Sequence, residues 1–144
     1  MRAPLIFLGP YGPADLHVFQ SAEEAMSYAE AADVLSGEYG VHGWDADGKP
    51  VALVTKPSEK QPGMIGKLLG LQQRLEVEVR ELERPTEPEI LRKALTGRLA
   101  GLKPEFVDGA ESMVLDDLIS LVCESIDYRL EQVRSLRPWR KTRR

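Results

Sequence analysis

The chain has little of the chemistry from which catalytic and metal sites are usually built. It contains one cysteine, Cys123, and two histidines, His17 and His42. A single cysteine cannot form an intramolecular disulfide, which is typical of a reducing compartment, so a cytoplasmic location is expected. Neither His-x-x-x-His nor Cys-x-x-Cys spacing occurs, and we expect no metal ion and no other cofactor.

Long hydrophobic runs are also missing. The apolar run before Gly9 is too short for the core of a signal peptide, and no stretch approaches the roughly 20 residues of a membrane helix. No serine lies in a Gly-x-Ser-x-Gly elbow, and Gly63 to Leu68 lacks the spacing and the hydroxyl residue of a phosphate-binding loop. A non-enzymatic protein without a membrane partner is therefore expected. The alternative is an enzyme whose site is assembled from scattered residues such as His17, His42 and Asp45.

What is present is enough apolar material for one domain and an uneven distribution of charge. The 144 residues are 42% hydrophobic and carry a net charge of −4. Residues 1–63 hold nine acids against four bases, whereas residues 134–144 hold six bases and no acid. An acidic body does not favour nucleic acid as the partner, because phosphate binding requires bases on a structured face.

The C-terminal end of the chain supports an alternative function. It mixes an aromatic side chain with bases, as single-strand binders do. A nucleic-acid-associated regulator that acts through this end is thus the second hypothesis. The candidate contacts are Arg137, Trp139, Arg140 and Lys141.

The first third of the sequence predicts a strand, a helix and a hairpin. Alternation over Asp15 to Phe19 is typical of a strand, and Ser21 with Glu24 forms a capping box that opens a helix. Small residues at helical spacing give that helix a narrow apolar stripe: Ala22, Ala25, Met26, Ala29 and Ala32. The Asp45 to Gly48 segment supplies a hairpin loop between strands at 38–44 and 49–56.

The remainder is predicted to be mainly helical. A short helix is expected over Met64 to Leu71. The alternation of Leu75, Val77 and Val79 with charged residues favours a strand within Leu71–Leu82, although a helix continuing from Met64 is the rival interpretation.

Two longer helices follow. A capping box at Thr86 and Glu89 precedes an apolar pattern of Leu91, Ala94, Leu95 and Leu99. Another box at Asp108 and Glu111 precedes a last helix that ends before Pro138. Its apolar positions are Leu115, Leu118, Ile119, Val122, Ile126, Leu130 and Val133.

These elements predict an α+β fold with a small N-terminal sheet packed against C-terminal helices. Residues 1–56 are predicted to form the strand, helix and hairpin unit. Residues 57–136 comprise the connector, the possible strand and two helices, and residues 137–144 form a basic tail. The first two parts are expected to fold as one cooperative domain.

Acids and aromatic residues concentrate around the predicted hairpin. Aromatic side chains beside carboxylates can anchor a basic protein partner and steer its approach. A binding surface is therefore predicted here, made of Glu38, Tyr39, His42, Trp44, Asp45 and Asp47. A solvated acidic face without a partner is the alternative.

Three segments carry a resemblance to a known group of proteins. Val18-Phe19-Gln20-Ser21-Ala22-Glu23-Glu24-Ala25, Asp33-Val34-Leu35-Ser36-Gly37-Glu38-Tyr39 and Asp45-Ala46-Asp47-Gly48-Lys49 resemble a block in small bacterial immunity proteins of polymorphic or contact-delivered toxin systems. The resemblance implies a protein that binds a cognate toxin and neutralises it, often by covering the toxin's active site. It assigns no site residues, and the long last helix with its basic tail departs from the pattern.

Overall fold

The computed structural model describes residues 1–58, 63, 64, 68, 74–102 and 109–136, with only the backbone described for residues 111 and 127–136. Within these ranges the fold is α+β, as predicted. Five strands form one antiparallel sheet: β1 (Leu5–Leu8), β2 (Leu16–Phe19), β3 (His42–Trp44), β4 (Pro50–Pro57) and β5 (Leu75–Glu81). Their spatial order is β2-β1-β3-β4-β5, so β2 and β5 are the edge strands.

Four α-helices accompany the sheet in the described part of the chain. They are α1 (Ala22–Tyr28), α2 (Ala31–Leu35), α3 (Pro88–Leu102) and α4 (Leu115–Leu136). Short 3-10 turns at Pro13–Asp15 and Ala110–Ser112 precede β2 and α4.

The sheet is covered on both faces. Leu5 and Phe7 of β1 pack into a cluster with the alanines of α1, whereas Ile6 packs with the leucines of α3 and with α4. Because successive side chains of a strand point to opposite faces, β1 is buried on both sides. This explains its continuous apolar sequence, Leu-Ile-Phe-Leu, which sequence analysis did not identify as a strand.

The apolar patterns of the two later helices are confirmed, but α4 begins only at Leu115, after the 3-10 turn at Ala110–Ser112, rather than at the box of Asp108 and Glu111. Leu91, Ala94, Leu95 and Leu99 are all buried. In α4, the residues Leu118, Ile119 and Val122 are buried in the same cluster. Of the predicted helix over Met64 to Leu71, only Met64 and Leu68 are described, and both are helical and exposed. The box residue Asp108 and the whole tail from Arg137 lie outside the described residues.

The first helical segment differs from its prediction. The stripe of small residues predicts one helix from Ala22 to beyond Ala32, but the backbone is extended at Ala29 and Glu30, which separates α1 from α2. Among the residues of the stripe, Ala25 and Ala29 are buried and Met26 is partly exposed. The capping box is present, since the Ser21 hydroxyl accepts the Glu24 amide at 3.0 Å. The Glu24 carboxylate accepts the Gln20 amide rather than the Ser21 amide that the box predicts.

The hairpin and the ambiguous strand are both confirmed, with different bounds. β3 pairs with β4 through Gly43 opposite Val51 and Trp44 opposite Pro50. β3 is only three residues long, and it begins at His42, four residues after the start predicted from the sequence. β5 pairs with β4 along its full length, which favours the strand over the helix at Leu71–Leu82.

Candidate functional site

The predicted hairpin surface is not present as one face, and this corrects the sequence analysis. Tyr39, Trp44 and Asp45 are only 4%, 1% and 3% exposed. Tyr39 lies in the cluster under α1 and α2, and Trp44 lies in the cluster under α3 and α4. The two aromatic side chains are therefore core residues on opposite sides of the sheet, and neither can anchor a partner from the surface.

The carboxylates of the hairpin loop have structural roles. Asp45 accepts backbone hydrogen bonds from Asp47 at 2.8 Å, Lys49 at 3.0 Å and Arg2 at 3.1 Å. These three bonds close the loop and attach the N-terminal segment to it.

Asp47 is exposed but already paired. The Arg2 guanidinium lies 2.7 Å from Asp47 and 2.7 Å from Asp116 at the start of α4. Hydrogen bonding from Arg2 lowers the pKa of Asp47, and the same bonds with Asp47 and Asp116 raise the pKa of Arg2. Arg2 thereby joins the N-terminal segment, the hairpin loop and α4.

Only Glu38 and His42 of the six predicted residues are exposed without such a role in the loop. His42 stacks near Trp44, with ring centroids 6.2 Å apart and planes 8° from parallel. Glu38 and His42 by themselves therefore do not form the predicted acidic and aromatic patch.

The scattered residues considered for an enzyme are not brought together either. His17 lies opposite Phe7 on the face covered by α1 and α2, and His42 lies opposite Leu8, whose side chain points to the other face. His17 is 3.0 Å from Asp15, and its ring contacts Tyr39 edge-on at 4.9 Å. His17 therefore has a carboxylate and an aromatic ring as neighbours, while His42 lies on the opposite face of the sheet and Asp45 lies in the hairpin loop.

The structure places a different group of acids beside an open groove. The groove, about 630 Å³ in volume, lies where the break between α1 and α2 faces the start of β5, and we call it the α1–β5 groove. Its described lining residues are Glu23, Met26, Ser27, Ala29, Glu30, Ala31, Leu75, Glu76 and Val77.

The charge of the α1–β5 groove is negative. Glu23 and Glu30 are exposed, and neither forms an ion pair with a residue that the structure describes. The Glu76 carboxylate accepts the Ser58 hydroxyl at 2.8 Å. Because no base among the described residues neutralises Glu23 and Glu30, these carboxylates favour the approach of a cationic group from solution.

The floor of the groove is apolar. Ala29 and Val77 are buried there, while Met26 and Leu75 are partly exposed. The extended backbone at Ala29 and Glu30 places the end of α1 and the start of α2 on either side of this floor. A partner could therefore bury apolar surface on the floor while a cation contacts the rim.

The strand beside the groove, β5, is at the edge of the sheet formed by the described strands. Leu82 N–H donates to Pro50 C=O at 3.0 Å and Ser58 N–H donates to Arg74 C=O at 2.9 Å. These bonds place the even-numbered residues of β5 in the ladder with β4, so the N–H and C=O of Val77 and Val79 point away from it. β5 is an edge strand, and no other described strand pairs with those groups.

A second, more enclosed cleft lies between α2 and the β3–β4 pair. Its volume is about 410 Å³, and Phe7, Tyr39 and Val51 are among its lining residues. Leu35 and Val41 on its rim are 66% and 81% exposed. The described lining of this cleft is mostly apolar and contains no Asp, Glu, Lys or Arg.

Glu23 and Glu30 were not among the binding residues predicted from the sequence. The α1–β5 groove could not be found in this way because it depends on the backbone break at Ala29 and Glu30, where neither glycine nor proline marks the end of a helix. The only feature of the sequence that pointed to the groove was the presence of glutamates on both sides of the alanine stripe.

The described residues contain no group of three or more His, Cys, Asp or Glu side chains that could hold a metal ion. None of their helices is both long enough and apolar enough to cross a membrane.

Comparisons of the chain with protein-family models, with curated proteins and with solved structures give no match.

Proposed function

We propose that this chain is a non-enzymatic immunity protein, which binds a cognate bacterial toxin and neutralises it by forming a stoichiometric complex. The observation that carries the proposal is the α1–β5 groove. There the carboxylates of Glu23 and Glu30, which have no ion-pair partner among the described residues, adjoin an apolar floor and the outer edge of β5. The resemblance of the strand, helix and hairpin segments to immunity proteins supports the same function.

The chemistry of the groove suits binding. The described lining contains carboxylates, a serine hydroxyl and apolar side chains, with no histidine, cysteine, lysine or arginine. Carboxylates at a rim steer a basic partner toward the surface, and the apolar floor contributes by excluding water. A basic region of the toxin is therefore the proposed contact.

The experiment is capture of the tagged full chain from its native lysate at moderate salt, followed by a growth test. Mass spectrometry identifies a protein that co-elutes in a stoichiometric amount, and that protein is expressed alone and together with this chain. The proposal predicts that the captured protein arrests growth alone and that co-expression restores growth. A captured protein that is harmless alone, or toxicity that co-expression does not relieve, contradicts it.

Matched charge variants connect the growth test to the groove. Glu23→Lys with Glu30→Lys is expected to abolish the rescue of growth. The control is Glu83→Lys with Glu124→Lys, which changes the net charge equally at two exposed positions outside the groove. Loss of rescue in both variants would indicate an effect of total charge and would contradict the choice of the groove.

A further inference from the structure

The outer edge of β5, with which no other described strand pairs, specifies the conformation of the partner segment more narrowly than charge alone does. We propose that the α1–β5 groove binds an extended, basic segment of the partner protein, which pairs with the outer edge of β5 as a sixth strand. This inference rests on the proposed function, because it names the part of the partner that the same groove contacts.

The first argument is the direction of the backbone groups. The N–H and C=O of Val77 and Val79 point away from β4, at the outer edge of the sheet. An extended chain is the partner conformation that satisfies alternate donors and acceptors along such an edge, and strand addition is a common mode of peptide recognition.

The second argument is the position of the groove along that edge. Its lining includes the consecutive residues Leu75, Glu76 and Val77. Because successive side chains alternate between the faces, a groove that meets three consecutive residues follows the edge of the strand rather than one face. The groove therefore lies where an added strand would run.

The third argument is charge complementarity. Glu23 and Glu30 flank the groove on the helical side, both exposed and both without an ion-pair partner among the described residues. A strand added to β5 would direct alternate side chains toward α1 and α2. Lysine or arginine at those positions would reach the two carboxylates, whereas an acidic segment would be repelled.

A test that does not need the identified toxin uses a phage-displayed library of random 12-residue peptides, selected on the purified full chain. Selected peptides are expected to be rich in lysine and arginine. The affinity of synthetic copies is expected to fall about tenfold with Glu23→Gln plus Glu30→Gln, which corresponds to the loss of two favourable rim charges. Glu83→Gln plus Glu124→Gln is the control and should leave affinity unchanged.

A proline substitution tests the backbone pairing directly. Val79→Pro removes an outward N–H, and proline is tolerated in an edge strand when its missing donor faces solvent. Val79→Ala is the matched control, since it shortens the side chain and keeps the donor. The inference predicts that Val79→Pro weakens peptide binding about tenfold while Val79→Ala changes it little. Circular dichroism checks that both variants keep the wild-type fold.

Hydrogen exchange gives a second measurement that does not depend on a substitution. Bound peptide should slow exchange at the amides of Val77 and Val79, and should change the exchange of Glu76 and Glu78 less because their amides already bond to β4. Selection of no basic peptide, equal binding by Val79→Pro and Val79→Ala, or unchanged exchange at Val77 and Val79 would overturn the inference. Wild-type dimers that Val79→Pro converts to monomers would also overturn it, because the edge would then bind a second copy of the chain.

The outcomes distinguish a failure of strand addition from a failure of the proposed immunity function. If co-expression neutralises the toxin while Val79→Pro rescues growth as well as Val79→Ala does, the function stands and strand addition is wrong. If peptides bind as expected and no toxin is neutralised, strand addition stands and the immunity function is wrong.

Discussion

Arg2 connects parts of the chain that are far apart in sequence. Its guanidinium contacts the carboxylates of Asp47 and Asp116, and its backbone N–H donates to Asp45. All these side chains except Asp45 are exposed, so each ion pair alone contributes little. Together these contacts hold the N-terminal segment against both the hairpin loop and α4.

The Arg2–Asp47 contact predicts a pH dependence. Its hydrogen bond lowers the pKa of Asp47 below its usual value near 3.8. A carboxylate with a lowered pKa in the folded state stabilises the fold above its unfolded pKa, and this contribution is lost as the pH falls through the folded pKa. Asp47→Asn should therefore lower Tm at pH 7, and the difference from wild type should shrink as the pH falls below 3.8 and disappear once Asp47 is protonated in the folded state.

Thermal unfolding followed by circular dichroism between pH 7 and pH 2.5 measures this effect. Glu124→Gln is the control, since this exposed carboxylate forms no ion pair with a described residue. A Tm difference for Asp47→Asn that stayed constant across this range would contradict the assigned role of the contact.

Trp44 carries a large share of the packing on the face covered by α3 and α4. Its side chain is fully buried, and its Nε1–H donates to the Glu87 carboxylate at 3.3 Å. Trp44→Ala should lower the free energy of unfolding by about 3–5 kcal/mol, as for other large-to-small core substitutions.

Urea unfolding measures this loss, with His42→Ala as the neighbouring control. His42 is exposed on the same strand, so its substitution should change the free energy of unfolding by about 0.5 kcal/mol or less. Equal effects of the two substitutions would show that Trp44 is not a core residue.

At the scale of elements, the accuracy of sequence-based prediction depends on how each element is buried. Helix α3 buries one stripe, and its four apolar positions, Leu91, Ala94, Leu95 and Leu99, were predicted correctly. β5 has one face under α1 and α2 and carries charged residues on the other, so alternation identified it.

The same method failed where the sheet is covered on both faces. Tyr39 and Trp44 were expected at the surface because they lie beside carboxylates around the predicted hairpin, but helices cover both faces of the sheet here. β1 gave no alternation for the same reason, and its apolar run was judged only against signal peptides. The α1–α2 break, and with it the groove, depends on packing against β5 and has no local marker.

The N-terminal cap of α1 offers a prediction at this scale. Ser21 accepts the Glu24 amide, and its loss should destabilise the helix that presents Glu23 to the groove. Ser21→Ala is expected to lower the free energy of unfolding by about 0.5–2 kcal/mol.

Chemical denaturation compares Ser21→Ala with Ser120→Ala, which replaces an exposed serine within α4. Alanine has the higher helix propensity, so Ser120→Ala should be neutral or slightly stabilising. A neutral result for Ser21→Ala would mean that the cap does not stabilise α1.

At the scale of the whole molecule, the acidic α1–β5 groove and the basic C-terminal end are two different candidate binding regions. If the groove binds the partner, deleting residues 137–144 should leave partner affinity unchanged within about twofold. Binding of the full chain and of the deletion variant to the captured partner, measured by titration calorimetry, checks this.

The nucleic-acid hypothesis makes the opposite prediction for the same variant. It requires salt-dependent binding to single-stranded nucleic acid that disappears with the deletion. Loss of partner binding after the deletion would move the interaction from the groove to the C-terminal end and contradict the account.

The most direct test of the central claim is the affinity of the purified partner for the Glu23→Gln plus Glu30→Gln variant at low salt. Titration calorimetry compares it with wild type and with Glu83→Gln plus Glu124→Gln, which removes the same charge elsewhere. We predict a loss of about tenfold for the groove variant alone, and a smaller difference at high salt because screening weakens the rim charges. Equal affinity of all three proteins at low salt would show that the partner does not bind at the α1–β5 groove.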